Sequence, residues 1–194
     1  MADGPLIVGV GGSTGATSMT SLLLGRCLAH SAARGARTMV LGGDELGSLP
    51  IYGADGEPPT AVATALVDAV READCVVIAT PGYHGGMSGL VKNALDHLEE
   101  LRDDPRPYLD GRAVGVIVTA AGWQAAGTTL VSVRSAIHAL RGWPTPFGVT
   151  VNSVEQPLGA DGRIDDRVDG ALEILAGQLM EFASWRAAAR ADVR

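Results

Sequence analysis

Residues 75–96 read CVVIATPGYHGGMSGLVKNALD, and this stretch decides the fold. Its first five residues, Cys75–Ala79, are all apolar, which is typical of a strand buried in a parallel sheet. After residue 88 apolar side chains recur at helical spacing, at Leu90, Val91, Ala94, Leu95, Leu98 and Leu101. The pattern therefore predicts a strand, a short turn and a helix.

The turn between this strand and this helix has the composition of a ligand-binding loop. In open α/β sheets, ligands lie just beyond the carboxyl ends of the strands. Gly82, Gly85 and Gly86 lack a Cβ, so a flat ligand can approach the backbone N–H and C=O groups closely. Tyr83 adds an aromatic ring and a hydroxyl. These residues suit a planar heterocycle with donors and acceptors along its edge, such as a flavin.

The same alternation runs through the chain and predicts an α/β fold. Five β-like runs lie at Leu6–Val10, Thr38–Leu41, Cys75–Thr80, Ala113–Thr119 and Pro146–Val151. Helices are expected near 18–33, 60–72, 88–101, 127–141 and 165–189. Alternating strands and helices favour a parallel sheet with helices on both faces. At 194 residues the chain is expected to form a single domain over residues 1–194.

Composition limits the classes of function. A net charge of −7 and a pI near 5.0 argue against nucleic acid as a partner. No apolar run approaches the ~20 residues that a membrane span needs. The acidic residue Asp3 lies where a signal peptide would have lysine or arginine. We therefore expect a cytoplasmic protein. Cys27 and Cys75 are predicted to be buried, inert thiols, and no histidine spacing indicates a metal site.

The loop after the first strand is rich in hydroxyl groups. Residues 11–20 read GGSTGATSMT, with hydroxyls at Ser13, Thr14, Thr17, Ser18 and Thr20. These groups precede a predicted helix, whose N-terminal N–H groups and dipole favour a phosphate. The alternative is an ordinary turn in which one hydroxyl caps the helix.

Two other motifs overlap this loop, and a third is absent. A dinucleotide fingerprint would use Gly9, Gly11 and the acid Asp44, but Thr14 occupies its third glycine position. Residues 11–15 also satisfy G-x-S-x-G, which would make Ser13 a hydrolase nucleophile with His84 or His138 as its base. In the α/β-hydrolase fold several strands come before the strand that carries the nucleophile, whereas no predicted strand comes before Leu6–Val10 in this sequence. A P-loop requires a lysine that the loop lacks.

Residues 80–96 resemble the segment T-P-x-Y-x-G-x-x-x-G-x-L-K-N-x-L-D of the NAD(P)H-dependent FMN reductases, a flavodoxin-like family. Many members carry Glu where this chain has Gly82 and Asn where it has His84. The first loop is similar to the reductase form G-S-x-R-x-x-S-x-T, with Gly15 in the usual place of arginine. It is also similar to the S-T-G-x-T loop of flavodoxins, which binds the FMN phosphate without a cation.

The resemblance implies a three-layer, flavodoxin-like sandwich with a five-stranded parallel sheet of order 2-1-3-4-5. It implies that FMN lies between the ends of the first and third strands. Its phosphate would contact Ser13, Thr14, Ser18, Met19 and Thr20. Its ring edge would contact Pro81, Gly82, Tyr83, His84 and Gly85, with Ala121 and Gly122 opposite. No catalytic acid or base of the protein is implied, because the hydride chemistry belongs to the cofactor.

The resemblance also implies an activity and partners. NADPH or NADH would reduce FMN, and the electrons would pass to free flavin, a quinone or a similar small acceptor. Reductases of this kind often supply reduced flavin to a separate monooxygenase, and they form homodimers or homotetramers. Two alternatives stay open: a non-enzymatic electron carrier like flavodoxin, and an interaction module without flavin. The segment Leu49–Tyr52 either borders the flavin or is a surface insertion, and Trp123 either covers the ring or caps the sheet end.

Overall fold

The computed structural model describes residues 4–15, 18–53, 58–159 and 162–191. Strands alternate with helices, as predicted. The strands are β1 Leu6–Gly11, β2 Arg37–Leu41, β3 Cys75–Tyr83, β4 Gly86–Met87, β5 Ala113–Ala120, β6 Trp143–Pro144 and β7 Val149–Asn152. The helices are α1 Met19–Ala32, α2 Gly43–Gly47, α3 Ala61–Glu72, α4 Gly89–Asp96, α5 Trp123–Ala139 and α6 Asp166–Ala191. Two 3₁₀ turns follow α4 and β7, at His97–Leu101 and Ser153–Glu155.

The sheet has the predicted order. Its first four strands run in the order β2-β1-β3-β5. Two short strands then pair with the free edge of β5. Strand β6 pairs with the beginning of β5, and β7 pairs with the end of β5. All these pairings are parallel, and only β4 returns antiparallel to β3. Counting β6 and β7 as one interrupted fifth strand gives 2-1-3-4-5. A dinucleotide-binding fold would have its sheet in the order 3-2-1-4-5-6, so that alternative is wrong.

Helices cover both faces of the sheet and form a three-layer sandwich. On one face α1 and α6 pack together over a buried cluster that includes Leu23, Cys27, Val77 and Leu175. On the other face α3, α4 and α5 cover a second cluster, which includes Leu66, Ile78, Val91 and Ile137. Side-chain oxygens of Ser18, Thr60 and Ser88 cap α1, α3 and α4 at their first turns.

The fifth strand differs from the prediction. The sequence favoured one run over Pro146–Val151, but β7 begins at Val149. The Thr145 hydroxyl donates to the Phe147 carbonyl at 2.8 Å, and the Phe147 N–H donates to Gln178 Oε1 at 3.0 Å. These bonds take the backbone out of the ladder between β6 and β7, where the periodicity of the sequence gave no sign of a break.

Two helix predictions also needed correction. Helix α5 begins at Trp123 rather than near residue 127, and the short helix α2 was not predicted. The two cysteines are buried as predicted, and burial raises the pKa of each thiol to about 12. Within the described ranges, no helix has the length and apolar character needed to span a membrane.

Candidate functional site

Three loops meet at the carboxyl edge of the sheet. The Gly12 N–H donates to the Ala79 carbonyl at 3.0 Å, which joins the first loop to β3. Pro81 pairs with Thr119 in the β3–β5 ladder. The described part of the first loop (11–15 and 18–20) therefore lies beside the loops of residues 80–86 and 120–123, as the flavin hypothesis requires.

The first loop approaches its neighbours too closely for side chains at two positions. Gly11 has a φ of +137°, and a Cβ there would lie 1.9 Å from the Ala79 carbonyl oxygen. Gly12 has a φ of +105°, and its Cβ would lie 2.5 Å from Ser21 Oγ. Only glycine fits this backbone without displacing its neighbours. The two glycines form the floor of a cradle in front of α1.

The start of α1 offers an anion-binding geometry. Ser18 is the N-cap, and its hydroxyl accepts from the Ser21 N–H at 3.1 Å. Helix geometry leaves the N–H groups of Met19 and Thr20 without an intrahelical acceptor. Both groups point out of the first turn, where the helix dipole adds a favourable potential for a phosphate.

The hydroxyl of Thr20, which is predicted to lie at the phosphate, has a partner within the chain. Its side chain is buried, and its Oγ1 lies 2.6 Å from Thr119 Oγ1 at the end of β5. Its backbone N–H is one of the first-turn groups that have no intrahelical acceptor. Ser13 Oγ accepts from the Gly15 N–H at 3.2 Å, and Thr14 packs under α2 against Gly47. Thr17, the remaining predicted hydroxyl, lies outside the described residues.

The second loop is a β-hairpin made by the end of β3 and by β4. Gly82 pairs with Met87 and Tyr83 with Gly86, so His84 and Gly85 form a two-residue turn. Both turn residues have positive φ, +52° and +82°, as a type I′ turn requires. The Thr80 hydroxyl accepts from the Ser88 N–H at 3.0 Å and fixes the hairpin to the start of α4. The Tyr83 side chain, 59% exposed, lies open to a ligand.

The structure explains why this chain has glycine at position 82. A Cβ there would lie 2.7 Å from Thr129 Oγ1 and 3.2 Å from the Ala120 side chain. Helix α5 therefore packs directly under the hairpin and leaves no room for the glutamate of many family members. The turn at His84 also has a physical reason, since histidine, like asparagine, tolerates positive φ better than most residues.

The third loop is held by residues that the sequence analysis missed. The Gly122 N–H donates to Asn152 Oδ1 at 2.9 Å, and the Trp123 indole donates to Glu155 Oε1 at 2.5 Å. The Asn152 amide also donates to Glu155, at 3.1 Å. The indole of Trp123 is thus anchored beside the end of β7, as a cap on the sheet. The available signal for Asn152 was a polar residue directly after the predicted strand Pro146–Val151.

The segment Leu49–Tyr52 is attached to α4. The Pro50 carbonyl accepts from Asn93 Nδ2 at 2.9 Å and from His97 Nε2 at 3.0 Å. The Tyr52 N–H donates to Asn93 Oδ1 at 2.9 Å. Together with α3, this segment lines a cleft of about 470 Å³ that contains none of the predicted flavin residues.

The hydrolase interpretation fails on geometry. In the parts of the chain that the structure describes, no histidine hydrogen-bonds to Ser13. His84 lies at the tip of the hairpin and His138 in the last turn of α5. The described residues also contain no group of three or more side chains that could hold a metal ion.

The residues present fit FMN. The cradle has a floor of glycines, an exposed aromatic ring beside it and, at its helix end, N–H groups that have no intrahelical acceptor. The departure from the family at Gly15 removes one cation and leaves these groups in place.

The fold belongs to the flavodoxin-like class. The structure superimposes on an oxidoreductase from Corynebacterium diphtheriae with a TM-score of 0.78 and 17% identity, covering 94% of this chain and 98% of the other. A flavodoxin from Streptococcus pneumoniae gives a TM-score of 0.59 and 14% identity, over 90% and 96% of the two chains. At these identities the likeness concerns the fold alone, and it confirms the predicted fold class.

Sequence comparison then gives the family. Residues 5–156 match the family described as NADPH-dependent FMN reductase. A quinone reductase of Escherichia coli K12 is 30% identical over 149 residues, 72% of this chain and 74% of the enzyme. An FMN-dependent NADPH-azoreductase of Staphylococcus haemolyticus is 28% identical over 118 residues, so this chain spans only 59% of that relative's length.

The chain belongs to the NADPH-dependent FMN reductase family. Membership confirms the predictions of an oxidoreductase, of FMN as its cofactor and of NAD(P)H as its reductant.

Proposed function

We propose that the three loops hold FMN and that the chain uses NAD(P)H to reduce a small acceptor. The phosphate lies at Ser13, Thr14, Ser18 and the N–H groups of Met19 and Thr20. The ring edge contacts the backbone of Pro81–Gly85, with Ala121 and Gly122 opposite. The convergence of the three loops, shown by the 2.6 Å contact between the Thr20 and Thr119 hydroxyls, supports this proposal most strongly.

Bound FMN would supply the redox chemistry, taking hydride from the nicotinamide and passing electrons to the acceptor. The task of this chain's residues is to position it. The Thr80–Ser88 bond and the type I′ turn hold the hairpin backbone in one conformation. The Asn152 amide does the same for Gly122. No side chain is required to move a proton, and His84 is a solvated residue without a catalytic task.

The acceptor is proposed to be free flavin, a quinone or a similar small molecule. The names of the relatives, a quinone reductase and an azoreductase, favour small aromatic acceptors. The exposed ring of Tyr83 leaves the hairpin side of the site open to such molecules. Supply of reduced flavin to a monooxygenase is a further use of the same chemistry. We also propose that the protein acts in the cytoplasm as a homodimer or a homotetramer, as the family resemblance implies.

Two rivals make different predictions. A flavodoxin-like carrier would bind FMN but would not be reduced by NADPH or NADH directly. An interaction module that has lost its flavin would bind no FMN at all. Gly15 and Gly82, both departures from the family pattern, are the features that favour the last alternative.

The test is a titration with FMN, followed by anaerobic addition of NADPH or NADH. We expect FMN to bind, riboflavin to bind more weakly because it lacks the phosphate, and the flavin absorbance to bleach when nucleotide is added. Binding without bleaching would support the carrier, and no binding would support the flavin-free module.

A pair of helix-cap variants tests the position of the phosphate. Ser18→Ala and Thr60→Ala each remove an N-cap hydroxyl and should each cost about 1 kcal/mol of stability. Only Ser18 lies in the proposed site, so only Ser18→Ala should weaken FMN binding. Equal FMN affinity in the two variants would contradict the phosphate position.

A further inference from the structure

The loop from Arg106 to Arg112 lies at the amino edge of the sheet. It leads into β5, and two of its arginines donate to the carbonyl of Ala73, which leads into β3. The last part of α6 lies beside it, since the Arg186 guanidinium is in contact with Gly111. The flavin loops follow the opposite, carboxyl ends of the same strands. A ligand at this loop would therefore be separate from the proposed flavin site.

Arg112 carries a buried charge into this loop. Its side chain is fully buried, and within the described residues its guanidinium donates to backbone carbonyls alone, including Arg71 at 2.6 Å and Ala73 at 3.2 Å. Arg71 belongs to the last turn of α3 and Ala73 follows it, and a cation is favourable at a helix end. Burial, followed by the charge of Arg106, lowers the pKa of Arg112 to about 10. Arg112 is thus a structural residue whose charge no carboxylate balances directly.

Arg106 brings a second guanidinium to the same carbonyl. Its Nη2 donates to the Ala73 oxygen at 3.3 Å, beside the bond from Arg112 Nε. Its own Nε is buried, and no residue that the structure describes accepts a hydrogen bond from it. Burial, followed by the charge of Arg190, lowers the pKa of Arg106. An anion beside Arg106 would supply both an acceptor for the buried donor and an opposite charge.

Arg186 supplies a third guanidinium on the outside of the loop. A Cβ at Gly111 would lie 2.7 Å from Arg186 Nη2, so the guanidinium lies directly on the loop backbone. The Arg186 side chain is exposed, and it forms no hydrogen bond or ion pair with any residue in the described ranges. Its charge is close enough to Arg106 to add to the lowering of that residue's pKa, after burial and Arg190. A held guanidinium without a partner is available to a ligand.

The carboxylates nearby leave these arginines unneutralised. Asp104 accepts a hydrogen bond from Arg71 at 2.7 Å, and Asp74 Oδ1 lies 3.7 Å from Arg190 Nη1. The Asp110 carboxylate is exposed and accepts no hydrogen bond from the part of the chain that the structure describes. The three guanidiniums around the loop therefore have no carboxylate bonded to them, and the local balance of charge is positive.

We propose that Arg106 and Arg186 bind a small oxyanion of the phosphate class beside Gly111. Guanidinium groups offer paired N–H donors that match the oxygens of a phosphate. Arg112 adds its charge from inside the loop and keeps its carbonyl partners. The net charge of −7 on the whole chain repels large polyanions, so the ligand is a free phosphate or phosphomonoester rather than a nucleic acid or a membrane surface.

The first experiment measures thermal unfolding of the full chain with saturating FMN, so that the flavin's own phosphate occupies the cradle at α1. Inorganic phosphate is the probe, and sodium chloride keeps the ionic strength constant. With phosphate at ten times its Kd, the unfolding midpoint of the wild type should rise by roughly 3–6 °C. Arg106→Gln and Arg186→Gln should each lose most of that rise, measured from their own midpoints without phosphate.

Arg37→Gln is the matched control. Arg37 is exposed at the start of β2 and donates to the Gly4 carbonyl at 3.3 Å, so the change removes one positive charge and breaks no ion pair in the described structure. The variant should keep the full response to phosphate. An equal response in all three variants would mean that phosphate acts as a general salt, and it would overturn the proposal. So would a wild type whose midpoint does not move.

The second experiment is a calorimetric titration of the folded protein with phosphate, which does not depend on the stability of the variants. Because Arg186 bonds to no described residue, Arg186→Gln should fold like the wild type. Its Kd for phosphate should rise about tenfold or more, since a charged hydrogen-bond donor is lost. A Kd for Arg186→Gln within about twofold of the wild-type value would overturn the site.

Two further measurements fix the source of the phosphate group and the independence of the site. Flotation with vesicles that contain phosphatidic acid tests a lipid headgroup, and arginine-dependent binding to vesicles without a response to free phosphate would overturn the small-anion assignment. FMN titration of the three variants should give the wild-type affinity. If the chain bound no FMN, phosphate would enter the cradle equally in every variant, and the differences among the variants would still report this site alone.

Discussion

Thr20 Oγ1 and Thr119 Oγ1 lie 2.6 Å apart and join the first turn of α1 to the end of β5. The two residues are 99 positions apart in the chain, and both are buried. Their contact fixes the proposed phosphate-binding helix start against the strand that leads to the third loop. It is therefore the link between two walls of the candidate flavin site.

This pair gives the first prediction. Thr119→Val leaves the Thr20 hydroxyl buried without a partner and should lower the free energy of unfolding by about 1–3 kcal/mol in urea titrations. The double variant Thr20→Val with Thr119→Val removes both polar groups and should regain much of that loss. If only the Thr20 N–H serves the phosphate, the double variant keeps its FMN affinity. A stable double variant that fails to bind FMN would show that the Thr20 hydroxyl contacts the ligand.

The second prediction concerns the packing of α5 under the hairpin. Gly82→Glu forces a side chain against Thr129 Oγ1, 2.7 Å from the position of its Cβ, and should destabilise the fold by roughly 1–3 kcal/mol. Thr129→Ala in the same chain opens the space and should restore part of the stability. Thermal unfolding of the single and double variants measures both effects. Gly82→Glu with wild-type stability would contradict the described packing.

The third prediction concerns the turn of the hairpin. His84→Asn should keep or raise stability by a few tenths of a kcal/mol, because asparagine favours the positive φ of a type I′ turn. Gly85→Ala at a φ of +82° should cost about 1–2 kcal/mol. FMN affinity should survive His84→Asn, since the proposed contacts there are with the backbone. Loss of affinity in that variant would instead assign the histidine ring a role in binding.

The fourth prediction is a pH dependence of stability. Asp169 accepts two hydrogen bonds from Arg26, at 2.7 and 2.8 Å, and one from His30. The Arg26 guanidinium, followed by His30, holds the pKa of Asp169 well below its usual range. Because the folded pKa is lower than the unfolded one, the carboxylate stabilises the fold above pH of about 4, and this contribution is lost as the pH falls further.

The size of this effect is limited by solvent. The Arg26 side chain is 46% exposed, so the network should contribute only about 1 kcal/mol. Asp169→Asn should therefore lose that amount at neutral pH and little near pH 2, as measured by denaturation at several pH values. An equal loss at both pH values would mean that the charge of Asp169 is not what stabilises the contact between α1 and α6.

The fifth prediction concerns Arg112, which is fully buried and donates to the carbonyls of Arg71, Ala73, Tyr108 and Asp110. Arg112→Met leaves these acceptors without a donor and should cost about 3 kcal/mol or more. Arg112→Lys should also destabilise, because an ammonium group cannot reach all four oxygens. Chemical denaturation measures the loss, and a neutral Arg112→Lys would contradict the described contacts.

Much of the fold could be predicted from local pattern. The apolar runs of β1, β3 and β5 are short and continuous, as expected for central strands of a parallel sheet that are buried on both faces. The break at Thr145–Gly148 could not be predicted, because it depends on Gln178 of α6. Helix α2 has five residues, too few for a helical period to show.

The candidate site was predictable in outline only. The glycines and Tyr83 mark a loop that a ligand can approach, and the hydroxyls mark the start of α1. The partners that hold these groups come from distant elements, as with Thr119 for Thr20 and Asn152 for Gly122. Such pairs arise from the packing of the sheet, and nothing in the local sequence of either partner indicates the other.

The most direct test of the account is a crystal structure of the complex with FMN. It should show the phosphate within hydrogen-bonding distance of the Met19 and Thr20 N–H groups, and the ring edge on the backbone of Pro81–Gly85. Flavin bound elsewhere, for example in the cleft between α3 and the Leu49–Tyr52 segment, would contradict the site proposed here.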